Sequence, residues 1–184
     1  MLRHIPNLLC ILRMAMTPLC AAAILRGQPV PALLLFAIAG FTDFLDGFLA
    51  RRMNWQSRIG LYLDPAADKA LMAGVYLALG WTGSVPAWLV ALIFGRDLAI
   101  VCGAYGIYCA RAITKFPPSW PGKVSTTIQI CAALAVLSVD AAVLHPVWRT
   151  LAVLATAAGT GYSLVDYARI GWRMMNAREE VLPK

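Results

Sequence analysis

Charged residues are scarce in this chain, and acidic residues are the scarcer kind. Of 184 residues, 16 are Lys or Arg and 9 are Asp or Glu, so charged residues make up 14% of the chain. Soluble domains contain about a quarter. Hydrophobic residues make up 60% of the sequence. A soluble protein of this composition would lack the polar surface needed to cover itself, so the composition favours a chain that lies in a lipid bilayer.

Histidine is also rare, and the sequence contains no metal or redox motif built on cysteine. There are 2 histidines and 5 cysteines, and none of the cysteines forms a C-x-x-C pair or clusters with a histidine. This pattern argues against a zinc site and against a disulfide framework, and it favours cysteines that act as small apolar residues. No repeat or low-complexity stretch divides the chain, so we expect one domain over residues 1–184.

Six apolar segments, each close to the ~20 residues that cross a bilayer, predict an all-α polytopic membrane protein. Lys and Arg gather at one set of segment ends, whereas only Arg26 and Arg149 lie at the opposite ends. By the positive-inside rule, both termini are then cytoplasmic. The net charge of +7 therefore indicates anionic membrane lipid as a partner and not nucleic acid. The segments are 5–25, 31–50, 60–80, 86–110, 124–140 and 147–170.

Four aspartates in these apolar segments need an explanation, because an intramembrane charge costs at least ~2.5–3.5 kcal/mol. Asp43 and Asp46 share one face of the second segment, and Asp64 and Asp68 share one face of the third. A short loop makes the two segments an antiparallel hairpin, so the four carboxylates can converge. Carboxylates this close require protonation or a bound cation, and hard divalent cations such as Mg²⁺ prefer oxygen ligands. The alternative is a structural polar cluster satisfied by neighbouring Arg and Lys.

The residues around these aspartates match a family signature. The pattern is Asp43-x-x-Asp46-Gly47-x-x-Ala50-Arg51, eight further residues, and Gly60-x-x-x-Asp64-x-x-x-Asp68. It resembles the CDP-alcohol phosphatidyltransferases. The resemblance implies that Asp43, Asp46, Asp64 and Asp68 bind two divalent cations, Mg²⁺ or Mn²⁺, and that Asp68 is also the general base. It further implies that Gly47, Ala50 and Gly60 line the site of the CDP-lipid and that Arg51 orients the carboxylates or the diphosphate.

The first segment extends the resemblance. Its Pro6-Asn7 and Arg13 are similar to the first helix of the family, in which the corresponding side chains approach the nucleotide phosphates. Asn7 and Arg13 therefore join the expected CDP-lipid site. The alternative for Arg13 is a side chain that extends to the cytoplasmic surface without a role in binding.

The acceptor alcohol is suggested by the fourth and fifth segments. Asp64-Pro-Ala-Ala-Asp68-Lys69 resembles the branch that holds the phosphatidylglycerophosphate synthases and the cardiolipin synthases. The former have a second Arg about two turns after Arg96, where this chain has Ala104. A single cation beside an apolar helix favours phosphatidylglycerol, a diacyl phosphodiester, over glycerol 3-phosphate. Arg96, Lys123 and Thr126 are the expected acceptor-binding residues, and glycerol 3-phosphate and other alcohols stay open as acceptors.

The resemblance, together with the apolar segments, implies a phosphatidyl transfer from CDP-diacylglycerol to phosphatidylglycerol, with release of CMP, on the cytoplasmic side of a bacterial inner membrane. The family resemblance also implies a homodimer. A cation-coupled transporter is the main alternative from another class, because it too would hold intramembrane carboxylates. Transporters usually have more helices and inverted repeats, and no second pair of carboxylate segments occurs here.

Overall fold

A computed structural model describes the backbone of residues 5–53, 60–111 and 120–176, and the side chains of 12–42, 67–106, 109 and 120–173. This part of the chain folds into six helices and contains no strand, which confirms the all-α prediction. The helices are α1 (Ile5–Leu25), α2 (Pro29–Met53), α3 (Gly60–Trp81), α4 (Ala87–Arg111), α5 (Trp120–Asp140) and α6 (Val147–Asn176).

The helix bounds follow the predicted segments closely and differ by four or more residues at two ends. α5 begins at Trp120, four residues before the predicted start, so Pro121 lies in its first turn. Proline is tolerated there because the first backbone N–H groups of a helix have no partner within the helix. α6 continues to Asn176, past the predicted end at residue 170, and therefore carries Arg173 in its last turn.

α1 packs against α2 and α3 through residues with described side chains, whereas the ends of α2 and α3 for which the sequence predicts a direct hairpin lie outside those residues. Within the described ranges, α1 packs against both α2 and α3, whereas α2 and α3 do not pack against each other. Small side chains allow the close approach: Cys20 of α1 donates through its Sγ to the carbonyl oxygen of Ala32, at 3.6 Å. An added Cβ on Gly74 of α3 would lie 3.1 Å from Thr17. α5 packs against α2 and α6, and α4 packs against α6.

Three turns at one end of the bundle are built alike. Gly27, Gly83 and Ala142 each have a positive φ, at 67°, 76° and 58°. In each turn the N–H of this residue donates to the carbonyl three residues earlier, which closes the end of a helix. Because these turns connect α1 to α2, α3 to α4 and α5 to α6, they mark the end of the molecule opposite to that where α5 begins. We call it the turn end.

Buried polar groups join three helices at the centre of the bundle. The Tyr76 hydroxyl of α3 donates to the carbonyl oxygen of Gln129 at 2.8 Å, and Gln129 Nε2 donates to Thr160 Oγ1 of α6 at 3.2 Å. Tyr76, Gln129 and Thr160 are all buried. Hydrogen bonds of this kind hold helices together where the surroundings are apolar.

Two helices of the described part are long and apolar enough to cross a membrane. These stretches are Ala87–Gly106 and Trp120–Asp140, while Leu12–Leu25 and Pro29–Thr42 are apolar but shorter. Large apolar side chains also lie on the outside of the bundle, among them Leu98, Val101 and Tyr105 of α4. A surface of this kind suits contact with lipid or with another protein.

Candidate active site

A cavity of about 370 Å³ lies between α2, α3, α4 and α5, with Arg13 of α1 on its wall. Its charged residues are Arg13, Asp68, Lys69 and Asp97. The rest of the wall is mostly apolar and lies on the side of these residues that faces the turn end. We call this space the central cavity. Its charged rim can hold a polar group, and its interior offers a mostly apolar surface.

Asp68 lies on the wall of this cavity and is held by an arginine from α1. Arg13 Nη1 donates to Asp68 Oδ1 at 2.7 Å. The Arg13 side chain is fully buried, whereas 48% of the Asp68 side chain is exposed. A guanidinium removed from solvent needs a negative partner, and a charge-assisted hydrogen bond also fixes the direction of the carboxylate. Burial excludes the alternative in which Arg13 extends to the surface.

The other residues of the predicted metal and CDP-lipid sites have side chains outside the described residues. They are Asn7 on α1, Asp43, Asp46, Gly47, Ala50 and Arg51 on α2, and Gly60 and Asp64 on α3. Helix register relates two of them to the cavity: Asp43 follows the cavity residue Gly40 by three positions, and Asp64 precedes Asp68 by four. Each pair of positions is therefore one turn apart on one helix face.

A bound divalent metal needs several donor side chains that converge on one point. Among the residues with described side chains, no group of three His, Cys, Asp or Glu could hold a metal ion. Asp68 is the one predicted ligand in this set, and its carboxylate oxygens are the donor type that Mg²⁺ and Mn²⁺ prefer. The carboxylate of Asp68 is therefore a suitable donor for a hard cation. The complete set of metal ligands stays a prediction.

A second pocket, of about 410 Å³, adjoins the central cavity and contains all three residues predicted to bind the acceptor. Arg96, Lys123 and Thr126 line it, together with Tyr167 and with Lys69 and Asp97. We call it the side pocket. Lys69, Asp97 and Thr126 belong to both spaces, so the two are adjacent at these three residues. Sequence reasoning thus brought together residues from α4 and α5 that the fold also brings together.

Arg96 makes many contacts within the protein, unlike Lys69 and Lys123, the other two bases of the side pocket. Its Nη1 donates to Asp97 Oδ1 at 2.7 Å, and its Nη2 and Nε reach Ser163 Oγ at 2.7 and 3.3 Å. The guanidinium also lies over the ring of Tyr167, with 5.6 Å to the centroid. Arg96 is buried, whereas Lys69 and Lys123 are exposed. The geometry suits Arg96 to positioning Asp97.

Sequence reasoning missed Ser163 and Tyr167, and it gave Lys69 and Asp97 no role in this site. Lys69 Nζ donates to Asp97 Oδ2 at 2.5 Å, so Asp97 joins Lys69 and Arg96. Ser163 and Tyr167 hold Arg96 from α6, about 70 positions later in the chain. Their spacing of four residues puts both on one helix face, which is a weak signal. The position of Lys69 beside Asp68 was visible, but its pairing with α4 was not.

A helical bundle that surrounds a carboxylate, a buried arginine and two exposed lysines suits a ligand that is part phosphate and part apolar. A comparison with known protein families agrees with a ligand of this kind. Residues 3–161 match the CDP-alcohol phosphatidyltransferase family, and the chain belongs to that family.

Similar proteins include lipid synthases of two kinds. The chain is 32% identical to a cardiolipin synthase (CMP-forming) of Rattus norvegicus, over 90% of this chain and 61% of that protein. It is 30% identical to the cardiolipin synthase (CMP-forming) of Homo sapiens, over 90% and 62%. It is 33% identical to a protein named "Probable phosphatidylglycerophosphate synthase" from Mycobacterium tuberculosis, over 70% and 63%. The chain thus spans less than two thirds of the length of these relatives.

Proposed function

We propose that this protein is a cardiolipin synthase that transfers the phosphatidyl group of CDP-diacylglycerol to phosphatidylglycerol and releases CMP. The observation that carries the proposal is the Arg13–Asp68 pair on the central cavity, since Asp68 is the last aspartate of the family signature. Family membership and the similarity to cardiolipin synthases support the class of reaction. Ala104 on α4, where a second arginine would suit a phosphomonoester acceptor, supports a phosphodiester acceptor.

In the proposed reaction Asp68 takes the proton of the acceptor hydroxyl while the hydroxyl oxygen attacks the phosphorus of the phosphatidyl group. The bond from this phosphorus to the CMP oxygen breaks, and CMP leaves. Arg13 keeps the Asp68 carboxylate aimed at the cavity. The carboxylates of Asp43, Asp46, Asp64 and Asp68 would hold two divalent cations, Mg²⁺ or Mn²⁺, whose charge neutralises the diphosphate. Asn7, Gly47, Ala50, Arg51 and Gly60 would complete the CDP-lipid site.

The acceptor lies in the side pocket in this proposal. Lys123 and Lys69 are the exposed bases there, and they offer positive charge to the single phosphate of phosphatidylglycerol. Thr126 lies at the boundary with the central cavity, and its Oγ1 donates to the carbonyl oxygen of Gly122 at 3.1 Å. Arg96 supports the acceptor indirectly, through Asp97.

We place the enzyme in a cell membrane, as a homodimer with six membrane-spanning helices and cytoplasmic termini. The outward apolar side chains of α4 and the two long apolar helices support a bilayer location. The active site would then open to the cytoplasm, where the CDP-lipid headgroup is found. Cross-linking of the purified protein in detergent measures the dimer, and a monomer at all concentrations would contradict that part of the proposal.

The test of the reaction supplies purified protein with CDP-diacylglycerol and Mg²⁺ or Mn²⁺, and offers phosphatidylglycerol or glycerol 3-phosphate in parallel. We expect CMP and cardiolipin with phosphatidylglycerol, no product after chelation of the metal, and none from Asp68→Asn. Formation of phosphatidylglycerophosphate would instead identify glycerol 3-phosphate as the acceptor. The similarity to the Mycobacterium tuberculosis protein favours this second candidate function. The absence of CMP with every alcohol would contradict the enzyme assignment.

A further inference from the structure

We propose that the apolar part of the central cavity is the binding site for one acyl chain of the acceptor lipid, and that it sets the chain-length preference of the enzyme. This inference rests on the proposed function and adds a subsite to it. The apolar part is formed by Phe36 and Gly40 of α2, Met72 of α3, Ile93 and Phe94 of α4, and Ile130 of α5. We call these six residues the acyl chamber.

The position of the acyl chamber relative to the charged residues is the first argument. Lys69, Asp97 and Thr126 form the boundary between the central cavity and the side pocket. Each of them has a chamber residue three or four positions away on the same helix, in the direction of the turn end. These chamber residues are Met72, Phe94 and Ile130, respectively. One helical turn, ~5.4 Å, therefore separates the two levels.

A phospholipid has the same order of parts. Its phosphate is followed by a glycerol and then by acyl chains that run toward the middle of the bilayer. With the phosphate at Lys69 and Lys123, the first methylenes of a chain reach the level of Met72, Phe94 and Ile130. The turn end lies across the bilayer from the cytoplasmic termini, so the chamber extends in the direction in which lipid chains point.

The acceptor is favoured over the donor as the source of this chain. In an in-line displacement the attacking and leaving groups lie on opposite sides of the phosphorus. The expected nucleotide residues Gly47, Ala50 and Gly60 lie on the parts of α2 and α3 that are remote from the turn end. The attacking alcohol should then approach from the side of the acyl chamber. Glycerol 3-phosphate would make no use of an apolar space beside its phosphate site.

The chain offers variants that change the chamber in opposite directions. A Cβ added to Gly40 meets no atom within 4 Å, so Gly40→Leu can fill the chamber without a clash at its first carbon. Phe94→Ala enlarges the chamber from the facing wall. Gly95→Leu is the matched control, because an added Cβ there also meets no atom within 4 Å and Gly95 does not line the cavity.

The first measurement determines KM for dihexanoyl and for dipalmitoyl phosphatidylglycerol in mixed micelles, with CDP-diacylglycerol held constant, and then repeats the series with the donor chains varied. For Gly40→Leu we expect KM for the dipalmitoyl acceptor to rise about tenfold, the usual size of an overpacking effect. KM for the dihexanoyl acceptor and for the donor should change less than about twofold. Phe94→Ala should shift the preferred acceptor chain toward greater length, and Gly95→Leu should match the parent protein. An equal rise for both acceptors, or a rise only when the donor chains are varied, overturns the proposal.

The second measurement detects the chain without catalysis. Phosphatidylglycerol with a photoreactive diazirine in one acyl chain is cross-linked to the Asp68→Asn variant, and the modified peptides are identified by mass spectrometry. We expect modification in 71–73 and 93–94, and reduced modification in Gly40→Leu. Modification only of outward residues such as Leu98 and Tyr105 overturns the acyl chamber. If the chamber is modified but the parent protein forms no cardiolipin, the proposed function fails and the binding site stands.

Discussion

At the scale of single residues, the pairing of a buried arginine with a half-exposed aspartate links stability to catalysis. Arg13 lies in the interior of the bundle, and Asp68 balances its charge at 2.7 Å. The same carboxylate is the base of the proposed reaction. A change at Asp68 should therefore affect both the reaction and the fold, and the two effects can be separated.

The Asp68→Asn variant should lose at least about a hundredfold in CMP release, because a positioned base contributes 10²–10⁴. It should also unfold at a lower temperature, since the Arg13 guanidinium then loses this counter-charge. Adding Arg13→Gln to Asp68→Asn should restore part of the thermal stability and none of the activity. Thermal unfolding in detergent and CMP release measure the two quantities. A double variant less stable than Asp68→Asn would contradict the pairing as the cause.

The Lys69–Asp97–Arg96 arrangement makes a separate prediction about the acceptor. Lys69→Gln should raise KM for phosphatidylglycerol about tenfold, because a hydrogen bond to a charged group contributes roughly 1.5–3 kcal/mol. Lys69→Arg should recover much of the loss, and Asp97→Asn should weaken acceptor binding by releasing Lys69. KM for CDP-diacylglycerol serves as the internal control. If the KM values for phosphatidylglycerol and CDP-diacylglycerol rose together, Lys69 would stabilise the site as a whole and would not bind the acceptor specifically.

At the scale of helices and turns, the three similar turns differ in one residue. Gly27 and Gly83 have the left-handed backbone that glycine adopts freely, whereas Ala142 adopts it against the preference of its Cβ. We expect Ala142→Gly to stabilise the protein by about 1 kcal/mol and Gly83→Ala to destabilise it by a similar amount. An added Cβ on Gly83 meets no atom within 4 Å, so its effect is conformational.

Thermal unfolding in detergent, read by circular dichroism, measures these two variants. Activity should stay unchanged, because the turn end is remote from Asp68. An Ala142→Gly variant with an unchanged or lower midpoint would show that this turn relaxes in the folded protein and carries no strain.

The helices themselves could be predicted from the sequence, because each apolar segment ends at its own Pro, Gly or charged residues. Helix spacing also placed the aspartates on shared faces, and the family resemblance selected Arg96, Lys123 and Thr126, which line one pocket. The insertion of α1 beside both α2 and α3 could not be predicted, because it depends on which small side chains face each other. For the same reason, no local pattern joins Arg96 to Ser163 and Tyr167.

At the scale of the whole molecule, the two ends of the bundle should lie on opposite sides of a membrane. Val143 is exposed at the turn end, and Trp120 is exposed at the start of α5. In a variant without native cysteines, a single cysteine at Val143 should react with an impermeant maleimide added to intact bacterial spheroplasts. A cysteine at Trp120 should react only after the membrane is opened. Labelling of both positions in intact spheroplasts would contradict the six-span topology.

The contact of α1 with both α2 and α3 also has a consequence for how the protein is made. The ribosome completes α1 first, but α3, which carries Asp68, is synthesised about fifty residues later, so Arg13 acquires this partner only then. Until α3 has been synthesised, the nascent chain holds the cation of Arg13 in its first helix without Asp68. The Arg13–Asp68 pair can therefore form only after α3 has been synthesised, and the central cavity is complete only after α5 has joined the bundle.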